Sequence, residues 1–111
     1  MKTVDQIKPN FGPVYTAALY PELAKLCQSH GYALAVHGSL ARDFDLVAIP
    51  WIEHPDPFED VLKHITEEFA ITVIGDPGLK PHGRVAHTLS IGFGSCSADI
   101  SVMPTLKEVE G

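Results

Sequence analysis

Apolar residues recur along this chain with two different spacings, which predict two helices and five strands. Strands are expected at residues 32–36, 44–49, 71–74, 85–93 and 98–102, where apolar residues are continuous or alternate with polar ones. Asp76 to Gly78 contains proline and glycine and predicts a turn after the third strand. Gly94 and Ser95 are expected to join the last two strands into a hairpin with one apolar face.

Two segments show the spacing of amphipathic helices. The first begins at Pro21 and ends at Gly31, residue types that suit a first helical position and the position beyond a C-terminus. The second follows Asp56, which is expected to form a capping box with Glu59, and repeats apolar residues at 58, 61, 62, 65 and 69. His30 lies near the end of the first helix, where an imidazolium would favour the helix dipole, and is interpreted as structural.

The order helix, strand, strand, helix, strand, strand, strand predicts an α+β fold. We expect a small mixed sheet of about five strands with two helices on one face. A chain of 111 residues fits a single domain. Residues 1–12 are expected to form an arm and residues 105–111 a flexible tail.

Composition narrows the classes of partner. The net charge of −6 argues against binding to long nucleic acids, which depends on surplus Lys and Arg, and favours a small ligand or a protein partner. No apolar run has the length of a membrane span, and the first residues lack the apolar block of a secretory signal, so a cytoplasmic protein is expected. Cys27 and Cys96 are interpreted as reduced, buried residues. Homo-oligomerisation stays open.

Three carboxylates carry the candidate chemistry. Asp43 and Asp45 are two apart at the start of a strand, so their side chains project from the same face. Asp99 lies in a later strand and projects away from its apolar neighbours, which makes it the best candidate for a third carboxylate. Such an oxygen-rich set suits Mg²⁺ or Mn²⁺. The alternative is structural: Asp43 caps a turn and Asp45 pairs with Arg42 or Arg84.

The segment from His37 to Asp45, together with Asp99, resembles the nucleotidyltransferase superfamily to which DNA polymerase beta belongs. The resemblance covers about residues 32–103. It implies that Gly38 and Ser39 contact nucleotide phosphates and that Asp43, Asp45 and Asp99 are catalytic residues that hold metal ions. It also implies a reaction in which an acceptor hydroxyl displaces pyrophosphate. The pattern HGS-x-x-RD-x-D, followed by KPHGR, is similar to that of short phage-encoded proteins, for which the location would be the host cytoplasm.

The chain departs from the superfamily pattern at one joint. Only three residues separate Ser39 from Asp43, too few for the short helix that usually lies there, so a hairpin-like turn is expected. His37 and Arg42 are ligand-binding candidates beside this turn.

A second group of candidates surrounds Pro81 and Gly83. Lys80, His82 and Arg84 are interpreted as a grip for a phosphorylated ligand, and their alternative is a solvated loop with a paired arginine. His87 is interpreted as a core residue whose ring nitrogens have hydrogen-bond partners. The aromatic residues Tyr32 and Trp51 are candidates to stack on a base, although core or interface packing is the commoner role.

Three functions from different classes fit this pattern. The first is a metal-dependent nucleotidyltransferase of minimal size. The second is a non-catalytic phage protein that sequesters a nucleotide signal of host defence. The third is an inhibitory protein-interaction module that uses its acidic surface.

Overall fold

The computed structural model describes residues 18–38, 44–90 and 97–105. Their elements follow the predicted order, with one additional 3-10 turn. They are helix α1 (Tyr20–Ser29), strand β1 (Tyr32–His37), strand β2 (Phe44–Pro50), helix α2 (Phe58–Glu68), strand β3 (Thr72–Leu79), a 3-10 turn (Pro81–Gly83), strand β4 (Val85–Ser90) and strand β5 (Ser97–Val102).

The five strands form one mixed sheet in the order β1-β2-β5-β4-β3. β1 and β2 pair antiparallel, as the short joint between them predicts, and β4 and β5 pair antiparallel as the predicted hairpin requires. β5 lies in the centre and pairs in parallel with β2 on its other side. The residues of both connecting turns, 39–43 and 91–96, lie outside the described part of the chain.

The core lies between the two helices and one face of the sheet. Alternate residues of β1, β2, β4 and β5 face it: in β2 these are Phe44, Leu46 and Ala48, all fully buried. The helices contribute the apolar stripes that their spacing predicts. The buried helical residues are Leu23, Leu26, Cys27, Phe58, Val61, Leu62 and Ile65. The predicted α+β architecture, with two helices on one face, is therefore confirmed.

The other face of the sheet is covered by neither of the two helices, and we call it the helix-free face. Its residues alternate with the core residues and are mostly half-buried. Strand alternation and register place residues of β1, β2, β5 and β4 on this face. The described residues include Ala35, His37, Asp45, Val47, Ile49, Ala86, Thr88, Asp99 and Ser101.

The predicted capping box at the start of α2 is wrong. Pro57 occupies the N-cap position, and no side chain caps the helix. The Asp56 carboxylate lies instead 2.7 Å from Nδ1 of His30, at the end of α1. Asp56 thus joins the two helices, because a hydrogen-bonding partner at the end of the other helix is available to its carboxylate.

The predicted turn at residues 76–78 is also wrong, because β3 continues through it to Leu79. The pairing with β4 shifts between Ile74 and Gly78, so the intervening residues form an irregular segment within the strand. β3 is an edge strand, and an edge tolerates Pro77 because one side of the strand needs no backbone N–H donor.

The predicted arm, most of the predicted tail and Cys96 lie outside the described residues. Among the residues that are described, no helix is long and apolar enough to cross a membrane.

Candidate functional site

A polar row crosses the helix-free face at one end of the central strands. Asp45 of β2 and Asp99 of β5 are direct partners in the parallel pairing, so their Cα atoms are about 4.8 Å apart and their side chains share a face. His37 of β1 is the partner of Asp45, and Thr88 of β4 is the partner of Asp99. Two carboxylates that are 54 residues apart in sequence are therefore neighbours in the sheet.

Gly38 lies directly against this row. Its φ of 81° falls in the left-handed region, which side chains other than glycine rarely adopt. A Cβ atom placed on Gly38 would lie 2.6 Å from Oδ2 of Asp45, closer than real contacts allow. The backbone of the predicted glycine-serine corner thus approaches the Asp45 carboxylate as only glycine permits.

The donor set at this row suits a hard cation in part. Mg²⁺ binds through one or two carboxylates and keeps water or substrate phosphates in its other positions, and Asp45 with Asp99 could supply two carboxylates. No group of three metal-ligating side chains occurs in the described residues. Asp43, the third predicted ligand, lies outside them, as do Ser39 and Arg42.

The predicted phosphate grip lies away from the carboxylates. Arg84 precedes β4 by one residue and is four residues from Thr88, the partner of Asp99, so it lies about 13 Å along the strand from that row. Lys80 is exposed, and its backbone N–H donates to the Arg84 carbonyl at 2.8 Å. The 3-10 turn contains His82, whose side chain is not among those described. The fold therefore does not bring Lys80 and Arg84 next to Asp99.

An open groove of about 970 Å³ lies at the opposite end of the same face. Val47 and Ile49 of β2 form part of its wall, and Met103 and Pro104 follow β5 on the other side. The loop after β2 completes it with Trp51, Ile52, Glu53 and His54. Trp51, a candidate for base stacking from the sequence, is 72% exposed. The sequence did not indicate that Met103 and Pro104 would meet this loop, because the contact depends on the parallel pairing of β2 and β5.

A series of contacting side chains holds the loop formed by residues 51–56, which contains Trp51. Nδ1 of His30 contacts Asp56 at 2.7 Å, and its Nε2 contacts Nδ1 of His64 at 2.8 Å. Nε2 of His64 lies 3.8 Å from the carboxylate of Glu68. This arrangement was missed from the sequence, in which His30 and His64 are 34 residues apart. Their only signal was a histidine near the end of one apolar stripe.

Backbone hydrogen bonds anchor the same loop at both ends. The N–H of Trp51 donates to the Gly31 carbonyl at 2.9 Å, and the N–H of Asp56 donates to the His30 carbonyl at 3.0 Å. The Tyr32 hydroxyl donates to the Asp56 carbonyl at 2.7 Å. Tyr32 is buried, so of its two interpretations the core role applies. Residues 51–56 are thus fixed to the turn between α1 and β1.

Two further titratable groups belong to the core. His87 is buried and stacks on Phe58 with ring centroids 5.4 Å apart. Burial lowers the pKa of His87, and the nearby charge of Glu59 opposes part of this effect. Burial raises the pKa of the Cys27 thiol to about 12, so this residue is an inert core residue, as predicted.

Comparison with known proteins bears on the fold. The structure of this chain is similar to a crystal structure of the Cid1 poly(U) polymerase with Mg and 3'-dATP bound, with a TM-score of 0.53 and 19% sequence identity. The similarity covers 86% of this chain. The chain has a nucleotidyltransferase-like fold. It spans 32% of the polymerase chain, about a third of its length. No family model and no curated protein sequence matches this chain.

Proposed function

We propose that this protein binds a nucleotide, with Mg²⁺ or Mn²⁺, at the Asp45–Asp99 pair. The direct pairing of these two residues across β2 and β5 is the observation that carries the proposal. The sequence resemblance to the nucleotidyltransferase superfamily implies metal-binding roles for Asp45 and Asp99. The nucleotidyltransferase-like fold of the chain supports the proposal, because it is the fold that this resemblance predicts.

The residues around the pair have distinct roles in this proposal. Asp45 and Asp99 hold the cation, and Asp43 joins them if the chain supplies a third ligand. Gly38, which the resemblance assigns to phosphate contact, lets the backbone approach the Asp45 carboxylate closely, since a Cβ there would lie 2.6 Å from Oδ2 of Asp45. His37 is exposed at the edge of the row and can donate a hydrogen bond to a phosphate oxygen.

Nucleotidyl transfer is the reaction that this arrangement suits. An acceptor hydroxyl oxygen forms a bond to the α-phosphorus, the bond from this phosphorus to pyrophosphate breaks, and the hydroxyl proton passes to solvent water. When bound, the cation would neutralise part of the negative charge of the phosphates. The protein residues hold the phosphates in the orientation that the reaction requires.

Isothermal calorimetry with MgATP, MgGTP, MgCTP and MgUTP tests the binding. We expect at least one nucleotide to bind the wild-type protein, and Asp99→Asn to weaken that binding roughly tenfold or more, about 1.4 kcal/mol or more. Asp76→Asn is the matched control, because Asp76 is exposed on the edge strand β3 and its substitution removes the same charge. Equal affinities of the two variants would contradict the proposed site.

The fate of the ligand separates transfer from sequestration. Incubation with α-labelled nucleotide and Mg²⁺, followed by denaturation and chromatography, reports whether pyrophosphate is released. Release that Asp45→Asn abolishes supports the transferase. Recovery of the intact nucleotide, still bound before denaturation, supports the non-catalytic binding protein instead.

A further inference from the structure

The groove beside Trp51 is continuous with the carboxylate row. Asp45, Val47 and Ile49 are alternate residues of β2 and therefore lie on one face. Asp45 belongs to the polar row, while Val47 and Ile49 line the groove. The distance from Asp45 to Ile49 along the strand is about 13 Å, which an extended nucleoside triphosphate can bridge.

Small side chains form the floor between the two ends. Ala35 is the partner of Val47, Val47 is the partner of Ser101, and Ser101 is the partner of Ala86. Three of these four residues have small side chains, so little protrudes from the sheet between the carboxylates and the groove. A ligand held at the carboxylates could therefore extend over this floor.

Trp51 in the groove has an exposed ring and an anchored backbone. Trp51 is 72% exposed, although burial of its large apolar ring would be favourable. Its backbone is held by the hydrogen bond to Gly31 and by the anchored loop end at Asp56. An exposed indole on a fixed loop is prepared for stacking, because little ordering of the loop is needed when a flat ligand binds.

We infer that the groove binds the base of the nucleotide whose phosphates lie at Asp45 and Asp99, with Trp51 stacked on the base. This inference rests on the proposed nucleotide binding and adds where the base lies. The apolar wall formed by Ile49 and Met103 suits the other face of a base. Glu53 and His54 provide polar groups at the rim. Because stacking accommodates every base, we expect nucleotides with different bases to bind with similar affinity.

Trp51 is the only tryptophan of the chain, so its fluorescence reports on the groove directly. We expect a magnesium nucleoside triphosphate to quench this fluorescence. Magnesium triphosphate, which lacks the base, should bind without quenching. The comparison separates occupation of the groove from occupation of the carboxylate row.

Calorimetry on two variants measures the contribution of the ring. Trp51→Leu should weaken nucleotide binding about 5- to 100-fold, the range expected for loss of one stacked aromatic ring. Trp51→Phe retains an aromatic ring and should bind within a few-fold of wild type. Leu79→Ala, at an exposed position of β3, is the control for loss of surface apolar area. Magnesium triphosphate should bind all four proteins equally.

Each contrary result has a different meaning. Nucleotide binding that is unchanged in Trp51→Leu overturns the base site and leaves the proposed function intact. A wild-type protein that binds neither nucleotide nor triphosphate overturns both. If sedimentation shows a wild-type dimer and a Trp51→Leu monomer, the groove is an interface between copies and the base site is wrong. Because Trp51 is exposed, the variant should fold, which circular dichroism checks.

Discussion

Replacement of Gly38 by alanine should destabilise the protein through two separable effects. The first is conformational: a φ of 81° costs a residue with a Cβ about 1–2 kcal/mol. The second is steric, because the new Cβ would lie 2.6 Å from Oδ2 of Asp45. Moving the carboxylate away from its rotamer costs about 0.5–1.5 kcal/mol. Alanine also reduces the entropy of the unfolded chain, which offsets about 0.4–1 kcal/mol. The net loss of unfolding free energy should be about 0.5–3 kcal/mol.

Two other glycines separate these effects. Gly75 has a φ of 67° and no atom within 4 Å of its Cβ position, so Gly75→Ala should show the conformational cost alone. Gly78 has neither a positive φ nor a close neighbour, so Gly78→Ala should leave the stability unchanged or slightly increased. Urea unfolding of the three variants at pH 7.5 gives the three free energies under identical conditions.

Nucleotide affinity provides a second measurement on the same proteins. Only Gly38→Ala displaces the Asp45 carboxylate, so only this variant should bind a magnesium nucleotide more weakly than wild type. If Gly38→Ala and Gly75→Ala lose the same stability and bind alike, the close approach of Gly38 to Asp45 has no energetic consequence. The role given to that corner would then be refuted.

Three further predictions concern the core and the anchored loop. Because burial holds the pKa of His87 below its usual value of 6.5, the unfolded state takes up this proton first, and stability is lost as pH falls below 6.5 towards the lower pKa of the folded state. Urea unfolding at pH 7.5 and 5.0 should show a smaller loss for His87→Phe than for wild type; equal losses would contradict this. In a Cys96→Ser background, the Cys27 thiol should react with a disulfide reagent at pH 8 only after urea unfolding, because burial raises its pKa to about 12. Rapid labelling of the native protein would show that the thiol is accessible and would contradict this prediction. Asp56→Asn should lower the unfolding free energy by about 0.5–1 kcal/mol, because the carboxylate that contacts His30 is partly exposed, and a change above 3 kcal/mol would mean that the contact is buried in solution.

Local pattern was sufficient for most of the fold. The short joint after Gly38 predicted an antiparallel hairpin of β1 and β2, and alternation in β5 predicted that Asp99 would lie opposite the core residues. Both depend on properties of one strand or one turn. The capping role of Asp56 was wrong because His30, distant in sequence, provides a partner for its carboxylate. The irregular course of β3 depends on its pairing with β4, which no local pattern encodes.

The candidate site was predicted in residue type more than in arrangement. The sequence placed Asp45 and Asp99 on one face, and the parallel register that makes them neighbours comes from the assembled sheet. Lys80 and Arg84 were interpreted as a grip for a phosphorylated ligand because they flank Pro81 and Gly83 on a loop just before a strand. The register of β4 and β5 places Arg84 at the other end, and this register is not visible in the sequence of either strand.

The position of β5 has a consequence for synthesis of the chain. This strand is the last of the five in sequence, yet it fills the space between β2 and β4. Until residue 102 has left the ribosome, two inner strands have unpaired backbone edges that can join to other chains. A nascent chain interrupted before β5 should therefore aggregate, whereas loss of the outer strand β3 would expose a single new edge.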